Sequence, residues 1–229
     1  MDLATARRVA RREGWLSQTP PSFRRAVLDR TFLRVFEADA TIHIAGDHPG
    51  GIYGLIAGSI RVSIAGSEGP YFIHLLRPVT WVGEGPAISG QARPATLSAA
   101  RATTLLYIPA HVIPEIVQED PAFWRFFVVP LMGHLEVSFG ALADLMIRDH
   151  VKRLVAVLLR LGGCRTASPS ELGPIEIDAS QEDFAVMANI GLTATRSALR
   201  KLETAHLIEQ AYRRVAIIAP DRLRSMLTE

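Results

Sequence analysis

The chain of 229 residues has a single cysteine, Cys164. One thiol excludes an internal disulfide framework and any four-cysteine iron–sulfur cluster within the chain. Charge of either sign is scarcely in excess: 25 basic and 23 acidic residues leave a net +2. A histone-like polycation is thereby excluded, and any nucleic-acid binding must come from a local patch. The start, M-D-L-A-T-A-R-R-V-A-R-R, has no apolar run of signal-peptide length, so a cytoplasmic protein is expected. Arg7, Arg8, Arg11 and Arg12 are expected to form either a basic surface or a mobile arm, the arm being preferred. No nucleophile–base pair, metal-ligand spacing or phosphate loop occurs, and Asp47-His48 reads as a turn rather than a dyad. The expectation is a protein that is not an enzyme.

What is present is concentrated between Ser180 and Glu203, S-Q-E-D-F-A-V-M-A-N-I-G-L-T-A-T-R-S-A-L-R-K-L-E. The hydroxyl of Ser180 can cap a helix, and Asp183 can reach back to complete the box. Phe184, Ala185 and Ala188 make an apolar stripe at helical spacing. Asn189 tolerates the left-handed turn needed next, and Ile190 supplies an apolar plug. A second helix is predicted over about 192–205, with Thr195, Leu199 and Leu202 inward. Its other face carries Thr193, Arg196, Ser197 and Arg200, with Lys201 beside them, and no acid. Such a face suits the major groove, where arginine meets guanine or phosphate. A plain helical hairpin with a solvated face has the same pattern. Leu207–Gln210 and Arg213–Ile218 then read as a β-hairpin, which completes a winged helix. Tyr212, Arg213 and Arg214 are placed there to touch phosphates.

Upstream, 14–30 reads as an amphipathic helix. Eight short β-like runs follow: 33–36, 41–44, 52–57, 60–64, 71–76, 81–82, 95–100 and 104–108. Glycine-rich turns separate them, as in a barrel or sandwich of roughly eight strands. The stretch 109–118 returns to helix. Val128, Leu131, Leu135, Ser138, Leu142 and Leu145 then repeat at spacings of three and four; the pattern suits a core helix buried within one subunit or, as preferred here, a seam for a symmetric dimer. The long helix is expected to begin near Pro130. Glu136 and Asp144 argue against a membrane span, since each costs about 2.5–3.5 kcal/mol near a bilayer centre. Residues 147–149 look like a hinge, 151–161 like a helix, 162–174 like a loop, 175–177 like a strand, and the C-terminus from Pro220 like a small helix.

Three segments together resemble the Crp/Fnr (catabolite-activator) family of bacterial regulators. They are A-G-D-H-P-G-G-I-Y-G-L-I-A-G-S-I-R-V-S (45–63), G-E-G-P-A-I-S-G-Q-A-R-P-A-T (83–96) and the helix pair itself. The resemblance implies an α+β chain: an N-terminal antiparallel β-roll (a jelly-roll) over 1–120, a dimerisation helix over 121–147, and a C-terminal winged helix-turn-helix over 148–229. It implies a homodimer on a palindromic operator in double-stranded DNA, with RNA polymerase as a further partner and no membrane. The DNA-contacting set is then Leu192, Thr193, Arg196, Ser197, Arg200, Lys201 and Arg213. The effector set is Gly83, Glu84 and Arg93, with Ser138 and Phe139 against the base. In a cyclic-nucleotide binder Glu84 takes the ribose hydroxyl and Arg93 the cyclic phosphate. The plainer alternative is a Glu84–Arg93 pair across a turn.

Two departures stand out. Family binders usually have serine after the arginine; Pro94 offers neither hydroxyl nor amide. A pocket for another small ligand, or none, is therefore expected, and the effector is unknown. The family's best-known members begin the DNA-contacting helix Ser/Thr-Arg-Glu with another Arg four residues after the Glu; the matching positions here are Gly191, Leu192, Thr193 and Ser197, so the guanine-reading arginine is missing and the familiar operator is not expected. Two rival functions use the same scaffold. One is a haem or other small-molecule sensor with His74 or His134 as axial ligand. The other is a cyclic-nucleotide module that controls a protein partner.

Overall fold

A computed structural model describes residues 1–67, 69–166 and 173–228; part of the expected 162–174 loop lies outside them. The chain divides into two compact units. One comprises Met1–Pro70 and Leu76–Leu135, the other Tyr71–Leu75 and Glu136–Glu229.

The N-terminus is a packed helix rather than a mobile arm. Helix α1 (Leu3–Arg12) is capped by Asp2, whose side chain accepts the Thr5 amide. Ala6 and Ala10 are fully buried, a small-residue stripe that lets the helix lie close. Arg7 donates from Nε to the Thr31 hydroxyl at 3.0 Å and from Nη2 to the Thr31 carbonyl at 2.9 Å. The next helical stretch breaks into α2 (Gly14–Ser17) and α3 (Pro21–Asp29), as the proline pair at 20–21 requires. Eight strands follow in two antiparallel sheets of four. They are β1 (Phe32–Phe36), β2 (Thr41–His43), β3 (Gly51–Ala57), β4 (Ile60–Gly66), β5 (Gly69–Leu76), β6 (Trp81–Val82), β7 (Thr96–Ala99) and β8 (Thr103–Pro109). The sheet orders are β1-β8-β3-β6 and β2-β7-β4-β5. A short helix, α4 (Glu84–Ser89), interrupts them, and α5 (Ile113–Glu119) follows. One apolar core holds Trp15, Phe23, Trp81 and Phe127; a smaller one holds Leu55, Ile60, Leu76, Leu97 and Leu105.

The long helix α6 spans Trp124–Leu145, so Pro130 lies inside it and does not start it. A proline has no amide to offer the carbonyl four residues back, which is Phe126. Trp15 supplies the missing donor: its indole Nε1 reaches the Phe126 carbonyl at 2.8 Å. The indole ring is held edge-on to Phe23 and Trp81, with centroids 5.7 and 5.4 Å away. Along α6, Val128, Leu131, Leu135, Phe139, Leu142 and Leu145 are all exposed in the single chain. Its length and composition would also allow a membrane crossing. Near its end Asp144 is buried, with Arg160 at 3.1 Å and Arg165 at 2.9 Å.

The second unit continues with α7 (His150–Leu161), β9 (Ile175–Ile177), α8 (Gln181–Ala188), α9 (Leu192–Thr204), β10 (Ile208–Ala211), β11 (Arg214–Ile217) and α10 (Pro220–Thr228). Ser180 and Asp183 form the expected capping box. Asn189 is left-handed at φ 49°, ψ 55°. Ile190 is only half-buried; Met187 joins Phe184, Ala185 and Ala188 in the core instead. Arg153 closes the turn, donating to the carbonyls of Ala188 (2.5 Å) and Asn189 (3.2 Å).

The first unit generates two stability predictions. Trp15→Phe should destabilise by on the order of 1–2 kcal/mol, through an orphaned carbonyl and lost packing. In a Pro130→Ala background the loss should shrink, because residue 130 then has an amide to donate; denaturant titration of the four proteins tests this. Equal losses in both backgrounds would show that the indole bond does not replace the proline's. The second concerns His43, half-buried and stacked on Tyr53 at 5.9 Å. Burial, then the nearby Arg93, pushes its pKa from 6.5 down to about 4, with Asp47 opposing. Between these values the unfolded chain holds a proton that the folded chain refuses. This contribution is therefore present above pH 6.5 and is lost as pH falls toward 4. His43→Gln should flatten the stability–pH curve in that window, and an unchanged curve would refute the assignment.

Candidate nucleic-acid interface and effector pocket

The winged unit separates its faces as the spacing predicts. Thr195, Ala198, Leu199 and Leu202 of α9 are buried. Thr193, Arg196, Ser197, Arg200 and Lys201 are exposed, and Leu192 is half-buried. The β10–β11 hairpin pairs Ile208 with Ile217 and Ala211 with Arg214, and β9 adds a third strand through β11. At its tip Tyr212 is 92% exposed and Arg213 is left-handed at φ 53°. Arg214 is half-buried; its Nη1 lies 3.0 Å from Glu176 and its Nε 3.5 Å from Asp178, so it ties β11 to the neighbouring strand region.

The same unit joins Arg196 to four side chains that the sequence did not single out, Gln181, Glu182, Glu203 and Gln210. Arg196 donates from Nε to Gln181 Oε1 at 3.2 Å and from Nη2 to Glu182 Oε1 at 3.3 Å. Gln181 donates to Gln210 Oε1, and Gln210 to Glu203 Oε2, both at 2.9 Å. Glu203 Oε1 also accepts the Gln210 amide at 2.9 Å. The network ties α9, the start of α8 and the wing together. Only the tight helix-turn-helix geometry brings position 181 beside 196, and residue type alone does not signal it. The Glu182 carboxyl is held below its ordinary range, first by its own backbone amide, then by Ser180, with Arg196 adding to this.

In the β-roll, Gly83, Glu84 and Arg93 are drawn to one corner, but Glu84 and Arg93 are not paired with each other. Glu84 is 2% exposed; its Oε1 lies 2.9 Å from His134 Nδ1, and its Oε2 has no partner. Arg93 is 3% exposed and folds inward. Its Nη2 donates to the Gly51 carbonyl at 2.7 Å, its guanidinium lies 5.5 Å over the Tyr53 ring, and its Nη1 has no partner. Burial first of all lowers its pKa. Gly83, at φ 99°, is needed for this arginine as much as for any ligand. A Cβ there would fall 2.4 Å from Arg93 Nη1 and 2.8 Å from the Gly51 oxygen. Gly85 has no such need, since a Cβ would meet Leu131 at an ordinary 3.7 Å. Ser138 and Phe139 are exposed residues of α6 within the second compact unit. Of the two histidines considered for haem, His134 is engaged by Glu84, and His74 is half-buried on β5. Among the described residues no cluster of three His, Cys, Asp or Glu side chains could hold a metal ion.

Comparison with known proteins agrees with this division. Residues 33–120 match the family model of the cyclic nucleotide-binding domain, and residues 152–226 that of the Crp-like helix-turn-helix domain. No curated protein sequence matches significantly. Among solved structures, FixK2 of Bradyrhizobium japonicum is similar, with TM-score 0.69 and 16% identity over 85% of this chain and 96% of that one. A CRP-family transcriptional regulator of Thermus thermophilus gives 0.66 and 21%, over 86% and 97%. The c-di-GMP-responsive global regulator CLP of Xanthomonas campestris gives 0.66 and 18%, over 86% and 99%. With both modules present in this order on that shared fold, the chain belongs to the Crp/Fnr family of transcription regulators.

Proposed function

We propose that the protein acts as a homodimer on a near-palindromic operator, with half-sites about one helical turn, some 34 Å, apart. The observation that carries this is α9. Its buried face is apolar, and its exposed face presents Thr193, Arg196, Ser197, Arg200 and Lys201. Leu192 and the wing's Arg213 extend that face. The exposed seam of α6 is the dimer surface, since one copy alone leaves Leu135 and Leu142 43% and 62% exposed. Leu135→Lys with Leu142→Lys should yield monomers by sedimentation and lose operator binding, because a charge would enter a desolvated seam. A wild type that is monomeric at micromolar concentration would end the dimer reading, and selection from random duplexes without a symmetric site would end the operator reading.

The effector reading rests on Gly83, Glu84 and Arg93. Cyclic nucleotides fit this chain poorly. Pro94 has no amide or hydroxyl for a phosphate, Arg93 already serves Gly51, and Glu84 already serves His134. Losing two phosphate donors, each contributing on the order of 1–2 kcal/mol, should leave cyclic AMP and cyclic GMP no tighter than roughly 100 μM by calorimetry. A micromolar constant for either would overturn this and make Glu84 and Arg93 true ligands.

A further inference from the structure

Arg196 and Arg200 stand on the same exposed face, yet their surroundings differ. Among the described residues Arg200 and Lys201 have no acidic partner, whereas Arg196 is bonded along its Nε/Nη2 edge by Gln181 and Glu182. The direction of every bond in this network is fixed by chemistry. Arginine only donates and a carboxylate only accepts, so the Gln181 oxygen must face Arg196 and its NH2 must face Gln210, whose own NH2 faces Glu203. Gln181 is thus held from both sides, and its oxygen is presented to the arginine. With the side edge engaged, the Nη1/Nη2 end of the guanidinium remains as a fork of two parallel donors.

From this geometry we infer that Gln181 and Glu182 are specificity-determining positioning residues, which hold Arg196 to read one guanine per half-site. The inference rests on the operator-binding reading above and says which arginine supplies base discrimination. Two arguments carry it. A guanine offers O6 and N7 as two adjacent acceptors in the major groove, which a fork of parallel donors matches. A phosphate is a poor partner for this arginine, because Glu182 at 3.3 Å cancels its charge and would itself repel the phosphate. A neutral base edge asks for directed donors rather than net charge. Arg200 and Lys201, without acids beside them, are the phosphate contacts.

The charge of Glu182 makes the test decisive, because its two conceivable effects have opposite signs. The full-length protein is first taken through selection from random duplexes. Affinities are then measured by fluorescence anisotropy for the selected duplex, for duplexes with each guanine of a half-site replaced, and for an unrelated duplex. Glu182→Ala should bind the unrelated duplex as well as wild type or better, since a negative charge has left the DNA face. Its preference for one guanine position should drop by about tenfold, within the range of a bidentate base contact. Arg196→Ala should lose preference at that same position, and the double variant should lose little more. Glu182→Gln, which keeps an acceptor for Nη2, should retain most of the preference, and Gln181→Ala should lose part of it. Arg200→Ala should weaken all duplexes alike and flatten the salt dependence. The inference is overturned if Glu182→Ala raises affinity for every duplex equally and leaves the guanine preference intact. It is also overturned if Arg196→Ala flattens the salt slope without changing preference. A wild type that binds DNA without enriching any site would remove the operator reading along with it.

Discussion

The missing amide of Pro130 sets a constraint that the N-terminal half of the molecule is built to meet. A helix of 22 residues cannot leave an inner carbonyl without a donor at no cost, and its own backbone has none to give at that point. The indole of Trp15, 111 residues away in sequence, does so. To hold that nitrogen in place the fold surrounds the ring with Phe23, Trp81 and Phe127. Trp81 in turn sits on β3, over a glycine whose Cβ would collide with it. The N-terminal helices, the sheet and the start of α6 thus share one aromatic joint, whose position is specified by a directional bond and not by apolar contact alone.

A second theme is how arginine is used. Only two of the 25 basic residues are lysine, Lys152 and Lys201. Several arginines serve as bridges to backbone carbonyls. Arg7 reaches Thr31, Arg24 reaches Thr19, Arg93 reaches Gly51, Arg153 reaches Ala188 and Arg224 reaches Cys164. Guanidinium suits this role, because it carries several donors in a fixed plane and is less strongly hydrated than an ammonium. A tally of positive charge therefore overstates the surface available to nucleic acid. The near-neutral balance of the whole chain is consistent with a narrow contact face.

The DNA-binding half was largely legible in sequence because its signals are local. The Ser180–Asp183 box, the left-handed Asn189 and the inward positions of Thr195, Leu199 and Leu202 each depend on neighbours within one or two turns. The eight β-strands were legible for the same reason, their turns being marked by glycine. What was misread depends on distant partners. Pro130 looks like a helix start unless Trp15 is known to stand beside Phe126. The four N-terminal arginines look like a mobile arm unless Ala6 and Ala10 are seen to pack. The acid beside Arg214 is likewise invisible until β9 brings Glu176 alongside. Residues 83, 84 and 93 do lie at one corner of the β-roll, but the partners of Arg93 and Glu84, Gly51 and His134, carry no sequence mark.

The inward Arg93 has an evolutionary consequence. Its guanidinium occupies the volume where a side chain at position 83 would begin, and a side chain at position 50 would come within 2.8 Å of its other nitrogen. These three positions therefore cannot drift independently. A lineage that acquires alanine or serine at 83 or 50 must shorten or expel the arginine and also strain the backbone, since both glycines have positive φ and a Cβ at 83 would still lie 2.8 Å from the Gly51 oxygen. Homologues that keep the inward arginine should keep both glycines with it, whereas loss of the arginine removes only one of the two reasons for glycine there.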